Sequence, residues 1–399
     1  MKKVFKFCFL ILAISLSVAA CKKKTKEIIS PPSSVSPLGL QIDANGVLMR
    51  NGKPYRGVGV NYFSAFYRTL SRTDTSYRAG FSYLKSLHIP FIRFMACGFW
   101  PNDWNLYQTN KTQYFAKLDE FVHAAEQDGI GLIPSLFWNP NAIPDLVGES
   151  VNQWGNPNSK TIAFMRTYTS EVVMRYKNSP AIWGWEFSNE MNSNCMDLLD
   201  QSINWLPGVS PQNGTPDSRT LADATTTSDL RVALTAFAKA VRLYDPSRII
   251  ISGNNIPGWN QYHRYVYKTW VQDSISNYAS LLGLQNPDAV NTISIHLYPQ
   301  GEFKYFADFS ASLQDIIRIS MDAAIQQKKP LFIGEFGAQE TDKTKFTNML
   351  NGIEASKVPL SAVWVFDYPP QAGTWNITPT NGRQYQVEAI GQLNVRIGN

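Results

Sequence analysis

Eight short apolar segments recur along the chain, and the stretches between them carry apolar residues at intervals of three and four, the spacing of amphipathic helices. Each segment starts with a continuous apolar run, which is typical of parallel strands covered on both faces. Eight such units in one chain predict a closed (β/α)8 TIM barrel of the α/β class rather than an open sheet. The segments are residues 57–63, 91–96, 131–137, 181–190, 249–254, 292–298, 330–337 and 361–368.

The predicted barrel forms a single domain over residues 38–399, because no Pro-, Gly- or Ser-rich break interrupts this part of the chain. Before the first barrel strand, two Asn-Gly pairs at 45–46 and 51–52 mark tight turns between short alternating runs. We expect these runs to form an N-terminal β-hairpin that closes the bottom of the barrel.

The first 37 residues have a different character from the rest. Residues 1–20 contain lysines, an apolar run too short to span a bilayer, and small residues before Cys21, as in a secretory signal peptide. The end of this stretch, "SVAAC", resembles a bacterial lipobox and predicts lipidation of Cys21; an ordinary signal cleaved near Ala20 is the alternative. Residues 21–37 are polar and predict a flexible tether. We therefore expect an exported bacterial lipoprotein anchored to a membrane. The sequence does not identify the face of the membrane that carries it.

The formal net charge of +6 belongs to this leading segment. Residues 1–27 contain seven lysines and one glutamate, which leaves 30 basic and 30 acidic side chains in the remainder. A nucleic-acid-binding domain normally has a basic face, and this balance gives no sign of one. No glycine-rich nucleotide loop follows any predicted strand. We expect the protein to bind no nucleic acid, to need no cofactor and to be a monomer. We expect it to contact the membrane through the lipid anchor alone.

In a barrel of this kind the reactive groups lie at the C-terminal ends of the strands. No predicted strand contains a lysine, the first strand has no HxH pair, and the chain has no GxSxG elbow. These features argue against a Schiff-base aldolase, a metal centre and a serine hydrolase. Two carboxylates remain at strand ends, Glu190 and Glu335, among aromatic and amide side chains. Such a pair suits glycoside hydrolysis, in which one carboxyl donates a proton and the other acts in its ionised form.

The surroundings of the two glutamates predict unlike protonation states. Arg93 is the one cation inside a strand near this level, and a guanidinium beside Glu335 would favour the ionised form. Glu190 follows three aromatic residues of its own segment, whose desolvation would favour the protonated form: Trp183, Trp185 and Phe187. Glu186 shares a strand face with Glu190 but lies deeper. We expect it to be a buried structural carboxylate with a partner inside the barrel.

Several motifs at these strand ends match one known family in the same order. They are "NGKPYRGVGVNY", "FIRF", "SNE" ending the fourth strand, "IHLYP", "GEFG" ending the seventh, and the Trp of "VWVF". On these motifs, which span most of the body, the chain resembles glycoside hydrolase family 5, the cellulase and β-mannanase family of the retaining β-glycosidase clan.

The resemblance implies a role for each matching residue. Glu190 would be the general acid/base and Glu335 the nucleophile of a retaining hydrolase that acts on a β-linked polysaccharide or oligosaccharide. Five side chains would support them: Asn189 on the sugar 2-hydroxyl, Tyr298 on the nucleophile, Arg93 and His296 orienting the carboxylates, and Trp364 as a platform under the sugar.

One departure leaves the substrate open. Many family members carry a histidine at the end of the third strand, where this chain has Trp138 and Asn139, somewhat as in the mannanase branch. "WEFSNE" and "IHLYP" also favour mannanases, whereas "FIGEFGAQE" is more typical of cellulases. The expected substrate is therefore β-1,4-mannan or β-1,4-glucan, and endo or exo action and hydrolysis or transglycosylation stay open. Further candidate sugar platforms are Trp100, Trp138 and Trp259.

A protein of another class is the alternative: a carbohydrate-binding surface lipoprotein on a barrel that has lost its activity. It would keep the aromatic platforms and normally lose one of the two glutamates, yet both are present here.

Cys97 and Cys195 are too few for a zinc site, and the sequence leaves open whether they form a disulfide.

Overall fold

The computed structural model describes residues 38–198, 206–299, 305–339 and 343–398. The predicted signal peptide at 1–20, the tether at 21–37 and the lipidation site Cys21 lie outside these residues. The described residues belong to one compact unit, Pro37–Asn399. Among their helices, none has both the length and the apolar character needed to cross a bilayer.

Strands and helices alternate along the chain after three short N-terminal strands. The strands are β1 (Leu40–Ile42), β2 (Leu48–Arg50), β3 (Lys53–Pro54), β4 (Gly57–Asn61), β5 (Phe91–Met95), β6 (Gly131–Phe137), β7 (Gly184–Ser188), β8 (Ile249–Ile251), β9 (Ile293–Leu297), β10 (Leu331–Phe336) and β11 (Leu360–Val363). The helices are α1 (Tyr67–Ser71), α2 (Tyr77–Ser86), α3 (Asn105–Thr109), α4 (Lys111–Asp128), α5 (Ala142–Val147), α6 (Lys160–Tyr176), α7 (Thr227–Arg242), α8 (Ile275–Gln285), α9 (Leu313–Gln326), α10 (Lys343–Ala355) and α11 (Gln384–Arg396).

The strands from β4 onward form one eight-stranded sheet in the order β8-β7-β6-β5-β4-β11-β10-β9. Each neighbouring pair in it is parallel. The two end strands, β8 and β9, are consecutive in the chain, so the sheet curls into a nearly closed barrel with helices outside. The predicted (β/α)8 barrel is confirmed. Several strands end earlier than their apolar segments, and the remaining residues form loops at the C-terminal end of the barrel.

The small N-terminal sheet covers the bottom of the barrel, as predicted, but it has three antiparallel strands rather than the two of a hairpin. At the β2–β3 turn, Asn51 and Gly52 have φ of 52° and 73°, the conformation that Asn-Gly favours in two-residue hairpins. The Leu40 amide donates to the Trp183 carbonyl oxygen at 2.8 Å. Leu40 packs in one buried cluster with residues near the starts of the barrel strands, including Phe91, Ile133, Trp183 and Phe332.

The outer helices bury one apolar side against the strands, and α7 illustrates the sequence signals behind this. Thr226 and Asp229 form a capping box at its start, in which each side chain accepts the backbone N–H of the other residue. Leu230, Leu234 and Phe237 follow at helical spacing and are fully buried. Phe237 meets Phe187 of β7 with ring centroids 5.2 Å apart. Each such buried side chain contributes about 1.5–3 kcal/mol to folding.

A buried ion pair lies in the middle of the barrel. Arg93 of β5 and Glu186 of β7 are both 0% exposed. Arg93 Nε donates to the two Glu186 oxygens at 2.9 and 2.8 Å, and Nη2 lies 2.8 Å from Oε1. A buried charge is tolerated when it is paired and hydrogen-bonded. The predicted structural role of Glu186, with a partner inside the barrel, is confirmed.

Cys97 and Cys195 are both buried free thiols. The structure thus contains no disulfide between them, which answers the question that the sequence leaves open. Cys97 Sγ accepts the Trp138 amide at 3.4 Å, and burial raises the pKa of this thiol to about 12. Cys97 therefore packs as a small apolar residue with a weak polar contact.

Replacing Glu186 should destabilise the barrel strongly. In Glu186→Ala the Arg93 charge stays buried with Glu335 as its remaining charged partner, and breaking a buried pair in this way costs about 3–5 kcal/mol. Glu354→Ala is the control, since it removes a surface pair with Arg396 at 3.0 Å, worth less than about 1 kcal/mol. Urea unfolding of both variants measures the difference, and equal losses would contradict the structural role of Glu186.

Candidate active site

The predicted site residues gather at the C-terminal ends of the barrel strands. Arg93 lies midway along β5, and His296 and Glu335 are the next-to-last residues of β9 and β10. The remaining candidates follow strand ends within a few residues: Trp138 and Asn139 after β6, Asn189 and Glu190 after β7, Tyr298 after β9, and Trp364 after β11. The structure therefore brings residues from distant parts of the sequence to one end of the barrel, as the fold predicts.

Glu190 stands at a sharp change of backbone direction. It has a left-handed φ of 51° and begins the 3₁₀ turn Met191–Asn194. Its amide donates to the Gly253 carbonyl at 2.8 Å. Gly253 itself has φ of +74°, and a Cβ there would lie 1.7 Å from the Ser188 carbonyl oxygen, so glycine is required for this close approach. The backbone of the neighbouring β8 loop thus positions the carboxyl group of Glu190.

His296 lies between the two glutamates. Its Nδ1 is 2.8 Å from Glu190 Oε1 and 3.6 Å from Glu335 Oε1. Burial lowers the pKa of His296 to about 4, so the ring is neutral near pH 7. Its buried Nε2 has no hydrogen-bond partner among the described residues. A buried donor without an acceptor is costly, so we assign the ring proton to Nδ1, which donates to Glu190.

Each oxygen of Glu335 accepts a hydrogen bond from a side chain. Arg93 Nη1 donates to Oε1 at 2.8 Å, and the Tyr298 hydroxyl donates to Oε2 at 2.6 Å. Burial, and then the neighbouring Glu335 carboxylate, raise the pKa of Tyr298 well above its ordinary value. Tyr298 is therefore a permanent donor in the physiological pH range, and Glu335 is held in one orientation.

Arg93 connects the buried ion pair to this site. Besides Glu186 and Glu335, it donates from Nη1 to Asn61 Oδ1 at 2.9 Å and from Nη2 to Asn189 Oδ1 at 2.8 Å. All five guanidinium N–H groups thus have an acceptor. Burial alone would lower the pKa of Arg93, but the two glutamates raise it above its usual value. Arg93 is therefore always charged.

The predicted aromatic surroundings of Glu190 are wrong. Trp185 points into the helix layer, where its Nε1 donates to Asp245 Oδ2 at 2.8 Å, and Phe187 packs on Phe237. Trp183 lies at the barrel bottom. Residues at alternating positions face opposite sides of a strand, which places the Trp185 and Phe187 rings away from the carboxyl group. The pKa of Glu190 is nevertheless raised, by burial, although Arg93 lowers it in part.

Trp138 is buried against Arg93, and Asn139 lies partly exposed in the turn after β6. Trp138 is only 4% exposed, and its ring covers the Arg93 guanidinium at 4.3 Å. This burial does not agree with the prediction of a sugar platform. Asn139 Oδ1 accepts the Asn141 amide at 3.1 Å and shapes the turn after β6.

Trp364 is half-buried and stacks on Trp138 with ring centroids 6.0 Å apart. Its Nε1 donates to Gln371 Oε1 at 2.9 Å, so the ring is fixed in place. Phe63 contacts Trp364 and also lines an adjoining cavity of about 580 Å³, which the sequence analysis did not find. Its walls come from the loops after β4, β5 and β11 and include Tyr67, Arg68, Phe99, Trp100 and Tyr368. The aromatic run "YFSAFYR" after β4 is the signal for it.

Glu190, His296 and Glu335 also lie close enough to offer ligands to a metal ion, with one ligand atom of each within 4.8 Å of the others. The sequence predicts no metal here. Both oxygens of Glu335 already accept hydrogen bonds, and the charged Arg93 is 2.8 Å from one of them. A cation at this point would meet that charge, which disfavours metal binding here.

The family profile for cellulase (glycosyl hydrolase family 5) matches residues 50–368. Among similar proteins, mannan endo-1,4-beta-mannosidase F from Aspergillus fumigatus is 41% identical over 101 residues, which are 24% of this chain and 22% of that protein. Mannan endo-1,4-beta-mannosidase A from Podospora anserina is 36% identical over 80 residues, which are 18% of this chain and 21% of that protein. The matches thus span less than a quarter of these relatives.

Solved structures match over a much larger share. The endo-1,4-beta-mannanase from Rhizomucor miehei has a TM-score of 0.65 and 18% identity, covering 90% of this chain and 99% of that one. A beta-glucanase from Saccharophagus degradans, in complex with cellotetraose, has a TM-score of 0.55 and 17% identity, covering 91% and 94%. At such identities the similarity establishes the shared fold.

Glu190 should keep its proton to a higher pH than a surface glutamate, because burial disfavours its charged form. Glu354 is the comparison, since its hydrogen bond with Arg396 lowers its pKa. Carboxyl ¹³C NMR titration measures both, with the resonances assigned through Glu190→Gln and Glu354→Gln. A titration of Glu190 at or below the pH at which Glu354 titrates would contradict the described environment.

Proposed function

Because the chain belongs to glycosyl hydrolase family 5, we propose that it hydrolyses β-1,4-linked mannan by double displacement, with β-1,4-glucan as the alternative substrate. Glu190 serves as general acid/base and Glu335 as nucleophile. The observation that carries this proposal is the close approach of two carboxyl groups held in unlike surroundings at the catalytic face of the barrel.

The spacing of the two carboxyl groups supports a retaining mechanism. One oxygen of Glu190 and one of Glu335 lie within 4.8 Å of each other. Retaining glycosidases place their carboxyl groups about 5–5.5 Å apart, whereas inverting enzymes separate them by about 6.5–9.5 Å to admit a water molecule. The short gap favours direct attack by one glutamate on the anomeric carbon.

The environment of Glu190 suits a proton donor. Its raised pKa keeps a larger share of the group protonated near neutral pH, ready to protonate the departing oxygen. The hydrogen bond from His296 Nδ1 holds one carboxyl oxygen, so the other is free to face the substrate. After the leaving group departs, the ionised Glu190 can accept a proton from water and complete hydrolysis.

The environment of Glu335 suits a nucleophile. Arg93 and Tyr298 hold its two oxygens, which reduces the number of orientations that must be lost before attack. A carboxylate oxygen that accepts one hydrogen bond keeps a second lone pair for the anomeric carbon. The Arg93 charge remains in contact through the reaction, and it balances charge on Glu335 when the glycosyl bond breaks.

Two further side chains provide sugar contacts. Asn189 Oδ1 is occupied by Arg93, which turns its NH₂ group toward a sugar hydroxyl beside Glu190. Trp364 presents a fixed, half-buried ring next to Glu335, where the apolar face of a sugar can stack. The aromatic cavity beyond Phe63 extends this surface and accommodates further sugar units, in keeping with endo action on a polymer.

We propose mannan rather than glucan as the preferred substrate on two grounds, the names of similar proteins and the sequence motifs. The similar proteins from Aspergillus fumigatus and Podospora anserina are mannosidases by name, and "WEFSNE" and "IHLYP" favour the mannanase branch. The Saccharophagus degradans neighbour, a beta-glucanase, keeps glucan as the alternative. Trp138 and Asn139 stand near the place where many family members carry a histidine, somewhat as in the mannanase branch.

Assays on purified glycans test the substrate. We expect reducing sugar from mannan and glucomannan, less from carboxymethyl cellulose or mixed-linkage glucan, and none from xylan. Cleavage of cellulose derivatives with none of mannan would support the glucan alternative. Binding to mannan in affinity electrophoresis, without release of sugar from any glycan, would identify a non-catalytic carbohydrate-binding protein and overturn the proposal.

Variants of the two glutamates test their separate roles. Glu335→Ala removes the group that forms the glycosyl–enzyme bond, so polymer turnover should fall by several orders of magnitude, and azide should restore it with a product of inverted configuration. Glu190→Ala removes the proton donor, so an activated aryl glycoside should still react in a burst and then stall for want of a general base. Azide should then give a product of retained configuration.

Product anomers by NMR and pre-steady-state bursts are the measurements for these variants. Full activity of Glu190→Ala on polymer, or azide products with the two configurations exchanged, would show that the roles of acid and nucleophile are misassigned. Glu354→Ala serves as the control, because its surface pair lies outside the site and its kinetics should equal those of the parent.

A further inference from the structure

The bottom of the barrel, opposite the two glutamates, carries aliphatic side chains that are exposed to solvent. Leu243 directly follows α7 and is 73% exposed, and Ile325 and Val395, the next-to-last residues of α9 and α11, are 60 and 54% exposed. Val47, in the turn between β1 and β2, is 40% exposed. Exposed aliphatic groups are common singly, so these four gain meaning only together with the charges around them.

The same end of the barrel has more basic than acidic residues. Seven connections run from a helix to the start of the next barrel strand, and they contain five basic residues and two acidic ones. Asp245, one of the two acids, is paired with Arg248 at 2.7 Å, so lysines carry the excess. The balance of 30 basic and 30 acidic residues over 28–399 therefore conceals an uneven distribution. The connections are residues 87–90, 129–130, 177–183, 243–248, 286–292, 327–330 and 356–359.

Four exposed lysines at this end have no ion pair with any residue that the structure describes: Lys53 in β3, Lys239 in the last turn of α7, Lys328 before β10 and Lys357 before β11. Lys328 and Lys357 have φ of 54° and 53°, a conformation that glycine usually adopts after a helix end. The helix dipole also favours basic residues at helix ends, but Lys53 lies in a strand. We call these four lysines and the four exposed aliphatic residues the basal surface.

The chain enters the fold at the basal surface. The Leu40 amide donates to the carbonyl of Trp183, which belongs to the buried cluster at the barrel bottom. Sixteen residues separate Leu38 from Cys21, the predicted lipidation site, and four of residues 22–26 are lysines. A flexible chain of this length spans about 20–25 Å. A bilayer that holds a lipid on Cys21 would therefore lie within reach of the basal surface.

The basal surface is spread around the barrel rather than gathered in one groove. Its side chains come from the ends of α7, α9 and α11, the connections before β10 and β11, and the small N-terminal sheet. A flat, extended partner can contact all of these elements at once, whereas a small ligand cannot. Lysines suit anionic lipid headgroups, and aliphatic side chains suit the boundary with the acyl chains. A nucleic acid would use the lysines alone.

We propose that the basal surface contacts the anionic headgroups of a phospholipid bilayer, so that the barrel stands on the membrane with its catalytic end facing away. The predicted lipid on Cys21 keeps the protein at the bilayer, and the basal surface sets its orientation there. The contact is reversible and weakens with salt, because exposed charges are screened over about 8 Å at physiological ionic strength.

Vesicle binding tests the lysines. The parent is the processed chain from residue 21 with Cys21→Ser, so that no acyl chain contributes and the tether lysines are kept. Lys239→Gln/Lys328→Gln/Lys357→Gln should weaken binding to vesicles of phosphatidylcholine and phosphatidylglycerol at least about tenfold, since each lysine near an anionic surface strengthens binding about fivefold. Co-sedimentation at low and high salt measures this loss, and vesicles of phosphatidylcholine alone should bind the parent weakly.

The matched control removes the same charge from the opposite end of the barrel. Lys111, Lys160 and Lys343 are the first residues of α4, α6 and α10 and are exposed. Lys111→Gln/Lys160→Gln/Lys343→Gln should keep its vesicle affinity within about twofold of the parent, because these lysines point away from the bilayer in the proposed orientation. Urea unfolding of both triple variants should give midpoints close to that of the parent.

A second pair of variants tests the aliphatic side chains. Leu243→Ser/Ile325→Ser should weaken binding to the same vesicles about fivefold, because two apolar groups no longer leave water. Val209→Ser/Leu221→Ser is the control, since these residues are 45 and 41% exposed in the connection between β7 and α7, at the catalytic end. Its affinity should equal that of the parent.

A fluorescent label tests the orientation directly. Cys97 and Cys195 are buried, so an environment-sensitive thiol dye reacts at an introduced cysteine. Emission from the dye on Ile325→Cys should shift to shorter wavelength when vesicles with phosphatidylglycerol are added, whereas the dye on Leu221→Cys should not respond. A response at Leu221→Cys alone would overturn the proposed orientation.

Three further results would refute the basal surface as a membrane contact. Equal binding of the parent and both basal variants would assign vesicle binding to the tether lysines alone. Equal losses in the basal lysine variant and its control would show an effect of net charge only. Weaker self-association of the basal variants in analytical ultracentrifugation, with unchanged vesicle binding, would show a contact between copies of this chain instead.

Discussion

Arg93 is the group on which the rest of the site depends. Its five N–H groups reach Glu186 below, Glu335 and Asn189 above, and Asn61 beside it, so one buried cation joins the barrel core to the catalytic face. A guanidinium can do this because its donors form a rigid planar fork, which a lysine lacks. Trp138 covers the plane and excludes water, which strengthens each of these contacts.

The two glutamates share a site but not an environment. Glu335 receives hydrogen bonds from Arg93 and Tyr298, whereas Glu190 has the neutral His296 as its partner and a pKa raised by burial. Burial favours the neutral form of Glu190, while two side-chain donors hold the oxygens of Glu335, so the two carboxyl groups differ within one pocket. Arg93 on β5 reaches across the barrel and donates to Glu335 on β10 at 2.8 Å.

The sequence was sufficient to predict the barrel and the strand-end residues, because apolar periodicity locates the strands and their C-terminal ends share one face. It was insufficient where backbone direction changes. Glu190 leaves the strand with a positive φ, and Trp185 and Phe187 before it face the helix layer rather than its carboxyl group. Trp138 was expected to contact sugar but lies under Trp364. The aromatic cavity depends on loop conformations, which apolar spacing does not encode.

The short sheet formed by β1, β2 and β3 determines at which end of the barrel a carrier can be attached. Through the contact between Leu40 and Trp183, the chain enters the fold at the bottom, on the face opposite the glutamates. Any carrier joined ahead of Leu38, whether a bead, a fusion partner or a scaffold, is therefore attached at the rear of the barrel. The open end remains turned outward, so immobilisation through the amino terminus should leave access for long, stiff polymers.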